Sequence, residues 1–153
     1  MIALAKKASP AAIAVLRQAT ALRPKRKKAS DGLLPSAAHV KQNPNSDHNS
    51  GFAVDITHDS VNGVDCAIAF EKLKADKRVK YLIFNGKIWS PDRGGEGNRD
   101  YTGPNKHPHH LHISIKETCG YDTSPWFPWL GEITVVNKVK AAVRPLPKKK
   151  ENK

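Results

Sequence analysis

The chain is short of cysteine, of long apolar runs and, at both ends, of acid. Only Cys66 and Cys119 occur among its 153 residues, in unlike contexts and without a Cys-x-x-Cys spacing. A disulfide framework is therefore not needed, synthesis in a reducing compartment is expected, and both residues read as small buried hydrophobes. Behind Lys6 and Lys7 the apolar run covers only residues 11–16, with Ser9 and Pro10 directly before it. That is too short for a signal-peptide core or a membrane span. The expectation is synthesis in the cytoplasm without a signal peptide, with release by other means if the protein acts outside it. No internal repeat is visible.

The scarcity of acid is local. Residues 1–30 hold eight Lys and Arg and no Asp or Glu, and residues 138–153 hold seven against the single acid Glu151. The formal charge of +12 thus belongs to the ends, and the body between them is slightly acidic. A nucleic-acid module carries its positive surface on the folded body, interleaved with aromatics, so no obligate nucleic-acid partner is expected. The ends read as electrostatic tethers to a polyanion such as an anionic cell envelope, or as solvated termini.

What is present has the length of one domain, enough to bury a core without staples. We place that domain at residues 1–137 and read 138–153, with Pro145, Pro147 and a lysine run, as a flexible basic tail. Ser9 followed by Pro10 is an N-cap with a first-turn proline, and residues 11–22 continue as a helix up to Pro24. Residues 23–36 read as an irregular connection. Residues 52–57 alternate as a strand, and Asp65 caps a predicted helix that buries Ala69, Phe70 and Leu73. Asn85-Gly86 lies between two apolar runs, the strongest short signal for a hairpin with a type I′ turn. A Gly-rich loop over 91–97 leads through Tyr101 to "HPHHLHISI", whose last six residues alternate as a strand. These elements predict an α+β domain with a small, mostly antiparallel sheet and flanking helices.

The chemistry is concentrated in two places. In "SDHNSGFAVD", residues 46–55, full extension would separate His48 from Asp55 by roughly 23 Å, so they meet only if Asn49-Ser50-Gly51 folds the chain back. On the strand that follows, Ala53, Asp55 and Thr57 share one face, and Phe52, Val54 and Ile56 share the other. The same alternation in "HLHIS" puts His110, His112 and Ser114 together, opposite Leu111, Ile113 and Ile115. Four of the seven histidines fall between 107 and 112. His48, Asp55 and one or both of His110 and His112 then form a histidine and carboxylate set suited to Zn²⁺ with an open position for water. A histidine-rich loop is the bland alternative. Arg93, Arg99, Lys106 and Tyr101, in the loop before the last strand, could hold substrate carboxylates. "SPWFPWL", residues 124–130, reads as core closure, or as a glycan-stacking platform.

"SDHNSGFAVD" matches throughout the pattern Ser-x-His-x-x-Gly-x-Ala-x-Asp of the D-alanyl-D-alanine carboxypeptidase metallopeptidases, relatives of the vancomycin-resistance D,D-dipeptidases and of the hedgehog signalling domain. "YTGPNKHPHHLHIS" resembles the end of phage endolysin peptidase domains of that group, as do "SDG" at residues 30–32 and "DITHD" at 55–59. The resemblance covers about residues 30–116 and implies a hedgehog/DD-peptidase-like fold. It further implies zinc held by His48, Asp55 and His112, with His110 catalytic and Ser46 supporting the site. In the carboxypeptidase branch a glutamate three residues before the last ligand is the general base, and that position here is His109. Strand geometry turns His109 away from His110, which favours His110 as the catalytic group.

By this resemblance the protein is expected to be a monomeric phage endolysin, a zinc peptidase acting on bacterial peptidoglycan. The bond expected is L-alanyl-D-glutamate, ahead of one at D-alanine. The competing expectation is a non-catalytic, metal-containing protein that binds cell wall or nucleic acid.

Overall fold

The computed structural model describes residues 7–130; the basic segment 138–153 and the end of the domain predicted to reach residue 137 lie outside the described residues. Helix α1, Pro10–Leu22, is capped by Ser9, whose Oγ accepts from the Ala12 amide at 3.2 Å. It buries Ala11, Ala12, Val15 and Ala19. A short helix α2, Ala37–Gln42, follows the irregular connection and is capped by Ser36. Strand β1, Ala53–Thr57, leads to α3, Cys66–Lys72, where the Asp65 carboxylate accepts from the amides of Ala67 and Ile68. Strands β2, Val79–Phe84, and β3, Lys87–Trp89, form the hairpin, followed by the two-residue β4, Arg99–Asp100, and β5, His110–Ile115.

The five strands form one antiparallel sheet in the order β1-β5-β2-β3-β4. The last strand in sequence therefore lies between the first two, which brings the two chemistry-bearing stretches side by side. The hairpin turn takes the backbone its residues permit, with φ of 49° at Asn85 and 83° at Gly86.

Helices α1 and α3 cover one face of this sheet. There Val54, Ile56, Leu82, Leu111, Ile113 and Ile115 are fully buried with Phe70, Leu73 and Cys66. Cys119 only packs against that core from its margin. The segment 124–130 closes the core: Trp126 and Phe127 are buried, and the Trp126 indole donates to the Ala11 carbonyl at 3.0 Å. Arg78 locks it in place. Its guanidinium lies 3.6 Å from the Trp126 ring centre and donates to the carbonyls of Asp122, Ser124 and Pro125, while pairing with Asp76. The opposite face carries Asp55, His112 and Ser114 together with Tyr81, Ile83 and Ile88.

Local structure departs from expectation at three places, the first being α2, which no expected element covers. The stretch 91–97, expected as a plain loop, contains two short 3-10 turns over Pro91–Glu96 broken at Arg93, and strand β4 lies outside every expected element. Two residues carry almost no period-2 signal, and β4 exists because Arg99 and Asp100 pair with Ile88 and Lys87.

Candidate metal centre

The loop before β1 does what its small polar residues allow. Gly51 adopts φ of 84°, its amide donates to the His48 carbonyl, and the Phe52 amide donates to the Asp47 carbonyl. This fold-back places His48 beside the strand that carries Asp55. On the other side, β5 pairs with β1 so that His112 stands opposite Asp55 and His110 opposite Thr57. Directly opposed residues in an antiparallel ladder project to the same face with Cβ atoms roughly 5 Å apart.

The result is a cluster in which one ligand atom from each of His48, Asp55 and His112 lies within 4.8 Å of the others. Asp55 Oδ1 is 3.2 Å from both His48 Nε2 and His112 Nδ1. Both imidazoles are oriented from behind. His48 Nδ1 is 2.7 Å from the Leu33 carbonyl, so that nitrogen donates and Nε2 is turned to the cluster. His112 Nε2 is 2.8 Å from Ser114 Oγ, which leaves Nδ1 for the cluster. His112 is also stacked on Tyr81, ring centres 5.3 Å apart. Two imidazoles and a carboxylate with outer partners form a set that could hold a metal ion.

The electrostatics of the cluster centre on Asp55. Burial alone would raise the Asp55 pKa, but hydrogen bonds from His112 and His48 outweigh it and hold the carboxyl well below its usual range. Burial opposes protonation of His48, yet its hydrogen bond to Asp55, the Asp55 charge and the Leu33 carbonyl together raise its pKa. A cation taking the place of that proton would be coupled to proton release.

The motif "SDG" supports the same carboxylate. Gly32 and Asp55 exchange backbone hydrogen bonds of 3.0 and 2.8 Å, and a Cβ on Gly32 would stand 3.3 Å from Asp55 Oδ2. Asp31 accepts from the Thr57 amide and hydroxyl and from the buried guanidinium of Arg26.

His110 lies next to the cluster, its Nε2 3.7 Å from Asp55 Oδ2. Burial, with the nearby histidines, lowers its pKa although Asp55 opposes the shift. His109 is exposed and does not line the cleft. Ser46 lines the cleft and its Oγ accepts from the His48 amide at 3.2 Å. Tyr101 lines it too. Arg93 and Arg99 do not: they line a neighbouring groove, where Arg93 is ion-paired to Glu96.

The cleft measures about 830 Å³ and contains residues that the alternation patterns did not single out. His39, from α2, sets its ring against His48 at 5.9 Å, and burial and the His48 charge lower its pKa. His107 is buried at φ of 56°, and its Nδ1 donates to the Asn105 carbonyl at 2.7 Å. Its ring meets those of His110 and His112 edge-on, at 4.9 and 5.7 Å. Burial, then the neighbouring His112 and His110, push its pKa down to about 4. The histidine cluster in the sequence was the one signal for it, because it precedes the strand whose period identified the others.

An antiparallel five-stranded sheet with helices on its apolar face and a two-histidine, one-carboxylate cluster on the other defines an α+β domain with a candidate metal centre. The family model described as the VldE C-terminal domain matches residues 6–112, and the chain belongs to that family. The matched span ends on His112 and so contains the whole cluster. No curated protein and no solved structure gives a match.

Proposed function

We propose that the protein is a zinc-dependent peptidoglycan peptidase of the phage endolysin type that hydrolyses an amide of the stem peptide, the L-alanyl-D-glutamate bond ahead of one at D-alanine. The observation that carries this reading is the convergence of His48 Nε2, Asp55 and His112 Nδ1 within 4.8 Å of one another, on the floor of an open cleft. The resemblance of residues 46–55 and 101–114 to the endolysin peptidases, with its hedgehog/DD-peptidase-like fold, assigns the same three ligands.

Zinc bound there would polarise a carbonyl and bring the pKa of a water to about 7. The chain's own groups do the rest. The Leu33 carbonyl and Ser114 Oγ orient the two imidazoles through their outer nitrogens, and Ser46 Oγ braces the backbone of His48 by accepting from its amide. His110, whose burial disfavours its charged form, is placed beside Asp55 to take a proton from the attacking water and pass it to the leaving amine. The walls formed by Tyr81 and Tyr101 shape the cleft around the peptide. The protein acts on the wall after release, as a monomer, and the basic ends add attraction to the anionic envelope.

The experiment is digestion of purified peptidoglycan, with and without a chelator, followed by weighing of the fragments. The expected result is loss of turbidity and new alanyl carboxyl and glutamyl amino termini, stopped by chelator and restored by zinc. Intact peptidoglycan after incubation with the zinc-loaded protein would refute the proposal.

A further inference from the structure

The register of the sheet aligns five residues into one row across all its strands. Asp55 pairs with His112, His112 with Ile83, Ile83 with Ile88, and Ile88 with Arg99. Residues so paired project to the same face, and the lining of the two clefts agrees. Ile83 borders the metal cleft, Ile88 and Arg99 border the adjacent groove of about 610 Å³, and Tyr81 borders both. The polar face is thus one continuous track with the metal cluster at the β1 end, an apolar floor in the middle and a guanidinium at the β4 end.

Four cations border that groove, and Arg99 differs from two of them, Lys80 and Arg93, while Lys116 stands exposed at its margin. Lys80 is paired with Asp47 and Arg93 with Glu96. Arg99 makes no ion pair among the described residues; its Nη2 donates to Ser90 Oγ at 2.9 Å, and its Nε is buried without a partner. Asp92 is held below its usual carboxylate range by a hydrogen bond from Ser90 and in part by the Arg99 charge, and Glu96 also feels that charge, but neither carboxylate is in ion-pair contact with Arg99. Ser90 Oγ is the one hydrogen-bond acceptor that the guanidinium meets among the described residues, which leaves donors of its fork to spare, and a carboxylate matches that planar fork.

Distance then selects the carboxylate. Neighbouring strands are about 4.8 Å apart, so Arg99 lies three strands, roughly 14 Å, from His112. An extended peptide covers that in about four residues, and in fewer once the arginine side chain reaches inward. We propose that Arg99 is a carboxylate subsite for the acidic, C-terminal part of the stem peptide, two to four residues beyond the cleaved bond on the leaving-amine side. This rests on the peptidase reading above and deepens it. In a stem that begins L-alanyl-D-glutamyl, every free carboxylate lies on the glutamate or beyond it. Cleavage next to a terminal D-alanine would put the end carboxylate within one residue of the metal, too near for Arg99. The row of residues therefore favours the L-alanyl-D-glutamate bond.

The test uses two synthetic stem tetrapeptides that differ only in ending with a free carboxylate or a carboxamide. Wild-type, zinc-loaded protein should cleave the free acid with kcat/KM about tenfold higher. Arg99→Gln should abolish that preference while the zinc content stays that of the wild type. Binding of the same peptides to chelator-treated protein, followed by calorimetry, should show the same preference and the same loss without any turnover. If Arg99→Gln does not fold, Ser90→Ala, which releases the guanidinium's Nη2, should reduce the preference. Equal handling of the two peptides by the wild type, or a preference that survives Arg99→Gln, overturns the subsite. Failure to cleave either peptide while the binding preference persists overturns the peptidase reading and leaves the subsite standing.

Discussion

Asp55 stands directly opposite His112 in the β1–β5 ladder, and its Oδ1 lies 3.2 Å from His112 Nδ1 and, on the other side, 3.2 Å from His48 Nε2. One carboxylate oxygen thus ties together a loop histidine and a strand histidine 64 positions apart in sequence terms of origin, His48 and His112. Asp55→Asn keeps the side chain's shape and removes its charge. Zinc affinity should fall by more than about 100-fold, beyond what loss of an outer hydrogen-bond partner produces. Competition with a chromophoric chelator measures it, and an unchanged affinity would show that these three residues are not the ligands.

Gly32 lies against the same carboxylate. A methyl group there would stand 3.3 Å from Asp55 Oδ2, so the oxygen must shift by a few tenths of an ångström. Gly32→Ala should weaken zinc binding by about tenfold and change the stability of the metal-free protein by less than about 1 kcal/mol. Chelator competition and urea unfolding on the same sample separate the two effects. A large stability loss with normal zinc affinity would contradict the proposed role of the close approach.

Asp31 anchors the strand end and the connection together. Its carboxylate receives Arg26 at 2.7 and 3.1 Å and Thr57 Oγ1 at 2.8 Å, and the Arg26 side chain is only 2% exposed. Asp31→Ala leaves that guanidinium buried without its partner, a change that costs about 3 kcal/mol. Urea unfolding at neutral pH should register it as a lower midpoint. A loss below about 1 kcal/mol would mean that the connection relaxes and lets Arg26 reach water.

His107 makes the metal-free protein sensitive to acid. Its folded pKa of about 4 lies below the ordinary 6.5, so the unfolded chain binds the proton more readily between those values. The sign follows: stability associated with this residue is intact above pH 6.5 and declines as pH falls toward 4. With the solvent that reaches the cleft taken into account, the loss amounts to roughly 2 kcal/mol. Thermal unfolding of chelator-treated protein from pH 7 to 4 should fall less steeply in His107→Asn, which also tolerates the positive φ. Identical pH profiles would remove His107 as the source.

Much of this arrangement was legible in the residues. Ser9, Pro10 and Asp65 announced two helices, and Asn85-Gly86 announced the hairpin, because caps and turns are decided by side chains within three or four positions of the backbone groups they satisfy. The alternation in 52–57 and 110–115 separated the face that carries Asp55 and His112 from the face that carries Val54, Ile56, Leu111 and Ile113. Helix α2 and strand β4 were not legible. The first is six residues long and buries none of them, and the second has two residues.

The sequence by itself determined which side chains could ligate and on which side of their own strand each would stand, since a strand's period of two is a local property. Only the tertiary structure decided that β5 inserts between β1 and β2, which sets His112 opposite Asp55 and puts Arg99 in a different groove from the metal cluster. It also brought in His39, Tyr81 and His107, whose place in the cleft depends on which distant elements pack beside them. Strand order and register follow from burying the apolar faces of all the elements at once, and no stretch of ten residues contains that information.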